Sequence, residues 1–191
     1  MTERQAEIIE KSMDLIAEKG IQGLTIKNLS KSIGISEPAI YRHFASKFEI
    51  LETIINSFKQ NIVNNITTIN ENETDALTKL RGLFSSTFES LTQNPTLVSV
   101  IFSEEIFQNE KSLSEKLSEI QSFKEKMIVA LLKKLQESEK ISKKINPENI
   151  TVIFLGTIRM IARKWKMSDY NFNLTKKGNE LINEILELIA C

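Results

Sequence analysis

The stretch from Thr25 to Lys47 gathers residues whose types and spacing suit contact with a polyanion. Tyr41, Arg42 and His43 follow one another directly. Four fixed positive charges, Lys27, Lys31, Arg42 and Lys47, stand there against Glu37 alone. An arginine guanidinium can donate two parallel bonds to guanine O6 and N7 or clamp a phosphate, and spacing does not choose between them. A tyrosine hydroxyl can reach phosphate while its ring rests on apolar neighbours. A lysine at a helix start adds a point charge where free amides already favour anions. A lone histidine on a helix is usually structural, so His43 gains a nucleic-acid role only from its neighbours. The implied chemistry is recognition of a duplex, not turnover.

Catalytic chemistry has little support. One histidine leaves no zinc cluster, and the single cysteine, Cys191, has no base near it in sequence. No Glu-x-x-His pair, GxGxxG or phosphate-loop motif occurs. The Glu104-Glu105 pair and Glu110 read as solvated helix faces. No cofactor and no metal are expected, and an enzyme on an all-helical scaffold is the weakest reading.

Two short helices and a tight turn must position the basic residues. Thr25 caps the first, whose inward face is Ile26, Leu29 and Ile33. Gly34 falls where a left-handed residue closes a helix, and Ile35 folds back on it. Ser36 is the expected cap of the second, and Pro38 suits its first turn. Ala39 is small, Ile40 and Phe44 point inward, and Glu37, Tyr41, Arg42 and His43 are left outside. Such a unit sets its second helix in a major groove. Ahead of it, Thr2 to Gln5 forms a capping box, and Ala6, Ile9, Met13, Ile16 and Ala17 make the buried stripe of a bracing helix that ends at Gly20.

Helical periodicity continues to the end of the chain. Ser46 and Glu49 form a second capping box, and a helix from about 47 to 68 follows without a flexible linker. Further helices are expected over about 75–91, from Pro95, from the Ser112–Glu115 box, from Pro147, and over about 175–189. The segment 140–145 reads as charged and exposed. With 191 residues and 41% apolar side chains, the chain can bury a substantial core. Lys+Arg and Asp+Glu balance at 25 each, so any basic surface is local. The lone cysteine and the absence of a signal peptide or membrane-length apolar run point to the cytoplasm. The fold class is all-α, an N-terminal three-helix helix-turn-helix head joined to a larger helical bundle. The expected domains are a DNA-binding domain over residues 1–46 and a ligand-binding and dimerisation domain over 47–191.

Across residues 8–50, the run Ile8-Ile9, Leu15-Ile16, Gly20, Gly23, Thr25-Ile26, Leu29, Gly34-Ile35-Ser36, Ala39 to Phe44, Lys47 and Ile50-Leu51 resembles the TetR family of bacterial transcriptional regulators. The resemblance implies nine helices, a homodimer on a palindromic operator, usual repression, and release by a small molecule held in the larger domain. It implies that Thr25 and Ser36 cap helices beside the DNA backbone, and that Glu37, Pro38, Ala39 and Arg42 lie where base edges are read. Tyr41 and His43 match the pair that meets phosphate, and Lys47 matches a backbone-contacting lysine. Lys27 joins them as part of the basic surface. Glu37-Pro38 departs from the small or glycine residues more familiar there.

For the larger domain, Phe84, Phe88, Phe102, Phe107, Phe123, Met127, Phe154, Ile158 and Trp165 are the candidates to line an apolar cavity, although core filling explains any one of them. A small, mainly hydrophobic effector follows. Ile153, Ile161, Leu181, Ile185, Leu188 and Ile189 are the candidates for a dimer interface, because the last helix is apolar on adjacent faces and needs two packing partners. Two readings compete: a helical DNA-binding or protein-interaction protein with no small-molecule effector, and an activator instead of a repressor.

Overall fold

The computed structural model describes residues 1–72, 75–102 and 111–191. Among these residues the chain forms nine helices: α1 (Glu3–Gly23), α2 (Ile26–Ile33), α3 (Glu37–Tyr41), α4 (Lys47–Asn72), α5 (Ala76–Gln93), α6 (Thr96–Ile101), α7 (Lys111–Glu137), α8 (Pro147–Met167) and α9 (Leu174–Ile189). They fall into two compact units, one of Met1–Gln60 with Pro95–Leu117 and one of Asn61–Asn94 with Ser118–Cys191. No described helix is long and apolar enough to cross a membrane.

In the first unit, local chemistry sets the helix ends. Thr2 Oγ1 accepts from the Gln5 amide and Gln5 Oε1 accepts from the Thr2 amide, the reciprocal box expected from sequence. Gly20, at φ 70° and ψ 179°, breaks α1 three residues before its nominal end, which returns Ile21 to the core. Thr25 Oγ1 accepts from Asn28, opening α2, and Gly34 at φ 78° closes it. The Ser30 carbonyl then accepts from both Gly34 and Ile35. The α4 box is displaced by one residue: Ser46 Oγ accepts from the Glu49 amide, but the Glu49 carboxylate takes the Ala45 amide. Ile8, Leu15, Ile16, Leu24, Leu29, Ile40, Phe44, Ile50 and Leu51 are buried, as are Leu97, Val98 and Val100 of α6.

Four sequence expectations need correction here. Of the stripe read for α1 only Ile16 is buried; Ala6 and Ala17 are exposed, and Ile8, Ser12 and Leu15 face the core instead. Pro95 is the cap residue of α6, not its first helical residue, and Asn94 instead closes α5 with its amide on the Ser90 carbonyl. Ser112 to Glu115 lie inside α7, which already begins at Lys111, so they form no entry box. The segment 140–145 is not simply exposed: Ile141 is buried and pairs with Ala190 in an isolated antiparallel bridge. Gln136 holds that loop by donating to the Ser142 and Ile145 carbonyls.

The second unit is built around aromatic side chains. Phe84 and Phe154 stack with centroids 4.8 Å apart, and Phe84, Phe88 and Phe154 are essentially inaccessible to solvent. Asn146 and Asn173 cap α8 and α9 with their side-chain oxygens. Asp75 caps α5 and binds Lys140 at 2.6 Å, and these bonds hold its carboxyl down at about 2. Gly178 lets α9 approach the Phe88 ring so closely that an added methyl would lie 2.5 Å from it. Phe88 is enclosed and cannot swing aside. Gly178→Ala is therefore expected to lower the free energy of unfolding by roughly 1–3 kcal/mol, the usual cost of overpacking. Chemical denaturation checks this, and an unchanged midpoint would show that the ring gives way freely.

Candidate nucleic-acid interface and ligand-binding residues

The head offers one coherent outward surface. α3 has five residues and cannot hold itself by propensity, so packing fixes its orientation. Ile40 is fully buried and Phe44 nearly so, while Glu37, Pro38, Tyr41 and Arg42 are exposed; Tyr41 keeps 51% of its surface. Ala39 and His43 are half-buried. Thr25, Lys27 and Ser36 are also exposed.

Ser36 stands at the cap position of α3 but makes no side-chain cap bond. Its carbonyl instead accepts from Ala39 and Ile40, at 2.9 and 3.3 Å. The hydroxyl is thus left to the outside. Gln5 of the α1 box donates its side-chain amide to the His43 carbonyl at 3.4 Å, linking the start of α1 to the exit of α3. Sequence reasoning used Gln5 only as a cap. Lys47 is half-buried, and its Nζ donates to the Ile21 carbonyl at 2.9 Å. That bond joins the start of α4 to the turn that ends α1. In the same unit Lys116 and Glu52 form an ion pair at 3.2 Å.

The pocket candidates separate by environment. Phe84, Phe88, Phe154, Ile158 and Trp165 are core residues of the second unit. Met127 borders a small apolar cavity with Ile66, Ile69, Leu83 and Leu131. Phe123 is 47% exposed and packs less deeply than a pocket wall would. Phe102 is half-buried, and Phe107 lies outside the described residues, as do Glu104, Glu105 and Glu110. Among the described residues, buried Trp165 Nε1 has no hydrogen-bond partner.

Among the dimer candidates, Ile153 and Leu188 are exposed at 50% and 84%, and Leu181 and Ile185 are half-buried. Ile161 and Ile189 instead fill the chain's own core. Val152 and Met160 are exposed at 67% and 54% on the same helix as Ile153. With the exposed Gly156 they make a contiguous, uncovered apolar face of α8.

One cation was not foreseen. Lys124 of α7 keeps some exposure along its stem, yet its ammonium is enclosed and donates to Thr87 Oγ1 of α5 at 3.3 Å. Desolvation pushes the ammonium down to about 8, and no carboxylate among the described residues pairs with it. Nothing in its heptad position marks it out, because burial of a lysine depends on its neighbours in space. The sign of its effect on stability follows directly. Below about 8 both folded and unfolded chains carry the charge, and the folded state bears the desolvation cost. Between about 8 and 10.5 the unfolded chain alone holds the proton, so stability rises with pH there. Lys124→Met is expected to stabilise the protein at pH 7 by roughly 1–3 kcal/mol, with the gain shrinking towards pH 10.5. Urea unfolding at several pH values tests this, and a gain that does not depend on pH would remove the charge from the explanation.

Comparison with known proteins adds the following. The family model described as bacterial regulatory proteins, tetR family, matches residues 8–54. The model described as YsiA-like protein, C-terminal region, matches residues 55–190. Over 179 residues the chain is 24% identical to the nucleoid occlusion factor SlmA of Vibrio cholerae, spanning 93% of this chain and 91% of that protein. Its fold is similar to that of the ketosteroid transcriptional regulator KstR2 of Mycobacterium tuberculosis, with a TM-score of 0.88 at 19% identity, covering 100% of this chain and 97% of that one. It is also similar to that of the transcriptional regulator FadR from Bacillus subtilis, solved in complex with stearoyl-CoA, with a TM-score of 0.73 at 24% identity and 97% of each chain covered.

Proposed function

The chain belongs to the tetR family of bacterial regulatory proteins, and from that premise we propose that it represses transcription as a homodimer on a palindromic operator. A small, mainly apolar effector releases it. The observation that carries this reading is the split of α3, with Ile40 buried and Tyr41 and Arg42 presented together on the outside.

Arg42, Glu37, Pro38 and Ala39 face the base edges, while Tyr41, His43, Lys27, Thr25 and the free Ser36 hydroxyl face the backbone. Lys47 meets phosphate only by leaving the Ile21 carbonyl or sharing its donors with it. The uncovered α8 face, with Ile153, Val152, Gly156 and Met160, supports pairing of two chains, and Leu188 of α9 is also exposed. Two heads then present their α3 helices to successive major grooves, roughly 34–36 Å apart. The head is expected to occupy residues 1–46, and the ligand-binding and dimerisation region 47–191.

The aromatic interior of the second unit favours an apolar effector body, and Lys124 beside Thr87 favours an acid or thioester oxygen at its polar end. FadR of B. subtilis, of the same fold, was solved with stearoyl-CoA, which agrees with an acyl effector here. Such a ligand acts by preferring the conformation that cannot bind DNA.

Two measurements test the reading. Arg42→Ala is expected to weaken operator binding by roughly 1–3 kcal/mol at fixed salt, with the melting temperature unchanged because the side chain is exposed. Fluorescence anisotropy on footprint-selected duplexes measures it, and full retention of affinity removes α3 from the interface. Ile153→Glu is expected to yield monomers in analytical ultracentrifugation, because it places charge in the proposed apolar contact. A dimer that survives it, together with Val152→Glu, rules out the α8 face.

A further inference from the structure

Apart from its aromatic interior, the second unit carries an open groove of about 470 Å³. That volume lies within the range of small-molecule sites, roughly 300–1,000 Å³. One wall is a stripe of α5, namely Thr78, Arg81, Gly82 and Ser85, at the i, i+3, i+4 and i+7 spacing of a single helix face. The other wall is Asn179, Ile182 and Asn183 of α9, and Thr68 and Ile69 of α4 close one end.

The polar groups of this groove divide into those already used and those left over. Thr68 donates to the Asn64 carbonyl, and Thr78 donates to the Asp75 carboxylate. Ser85 donates to Glu89 at 2.9 Å and accepts from Asn179 at 3.1 Å. The nearby carboxylates are thereby engaged, Asp75 by Lys140 and Glu89 by Ser85. Among the described residues, the Arg81 guanidinium and the Asn183 amide have no partner. They project from two different helices into one space. Between them Gly82 leaves the floor low, with Ile69 packed over it at 3.5 Å from where a methyl would stand. Ile182 supplies a buried apolar base.

We infer that this groove binds a small organic anion, its carboxylate or phosphate held by Arg81 and Asn183 and its apolar body laid on Ile69 and Ile182. A guanidinium fork matches either head group bidentately, whereas an uncharged amphiphile would leave it unanswered. Asn183 adds a donor for the same oxygen atoms. The site is distinct from the effector interior of the proposed function and does not depend on DNA binding. Because Arg81 is exposed, the affinity is modest and salt-sensitive.

Isothermal titration of the full chain with octanoate, octyl phosphate and octanol tests the inference, the first two separating the carboxylate from the phosphate source. Saturable binding of at least one anion is expected, with octanol at least tenfold weaker. Arg81→Gln and Asn183→Ala are each expected to weaken the anion about tenfold, while thermal melts stay at the wild-type midpoint. Absence of saturable binding by both anions overturns the site, as does binding unchanged in Arg81→Gln. Binding lost in Lys124→Met and kept in Arg81→Gln also overturns it, since the anion would then sit in the aromatic interior.

Discussion

The burial of Ile40 is the constraint on which the rest of the head depends. A helix of five residues has too few internal hydrogen bonds to persist alone, so α3 exists because one side of it is taken up by the core. That single anchorage decides the orientation of Tyr41 and Arg42. The bonds from the His43 and Phe44 amides to the Ile40 carbonyl close the helix over the same residue. Gln5 then fixes the exit from outside, by way of the His43 carbonyl. The proposed recognition surface of a few side chains is thus held by one isoleucine, one phenylalanine and a glutamine that belongs to another helix.

Most of this architecture was legible from local signals. Thr2, Thr25 and Asn146 cap helices because each side-chain oxygen needs only the amide three residues ahead. Gly20 and Gly34 adopt the positive φ that their places after an apolar stripe imply. What was not legible depends on neighbours distant in sequence. Ser112 to Glu115 has the letters of a cap box, yet the helix starts earlier and the box is never formed. Ile161 and Ile153 look equivalent by periodicity, but one turns to the chain's own core and the other to solvent. The enclosure of Lys124 and the groove around Arg81 arise from the packing of helices far apart in the chain, and periodicity carries no information about that.

The second unit shows how a nearly all-apolar helix is used. α8 buries Phe154, Ile158, Ala162 and Trp165 on one side and leaves Val152, Ile153 and Met160 on the other. Its basic last turn, Lys164 and Lys166, suits the negative end of the helix dipole and keeps that end wet. The interior around Phe84, Phe88 and Phe154 is thus buried and aromatic. The groove by Arg81 is open and lined by amides and hydroxyls.

The bond from Lys47 to the Ile21 carbonyl has a consequence for any substitution at that position. The side chain is a strut between two helix ends and, in the proposed function, also a charge for a DNA phosphate. A replacement with neither charge nor donor leaves the Ile21 carbonyl without its partner and removes the proposed phosphate contact at the same time. Affinity lost there would therefore mix fold and contact. A glutamine, which can still donate to the carbonyl but brings no charge, is the replacement that separates the strut from the electrostatic part.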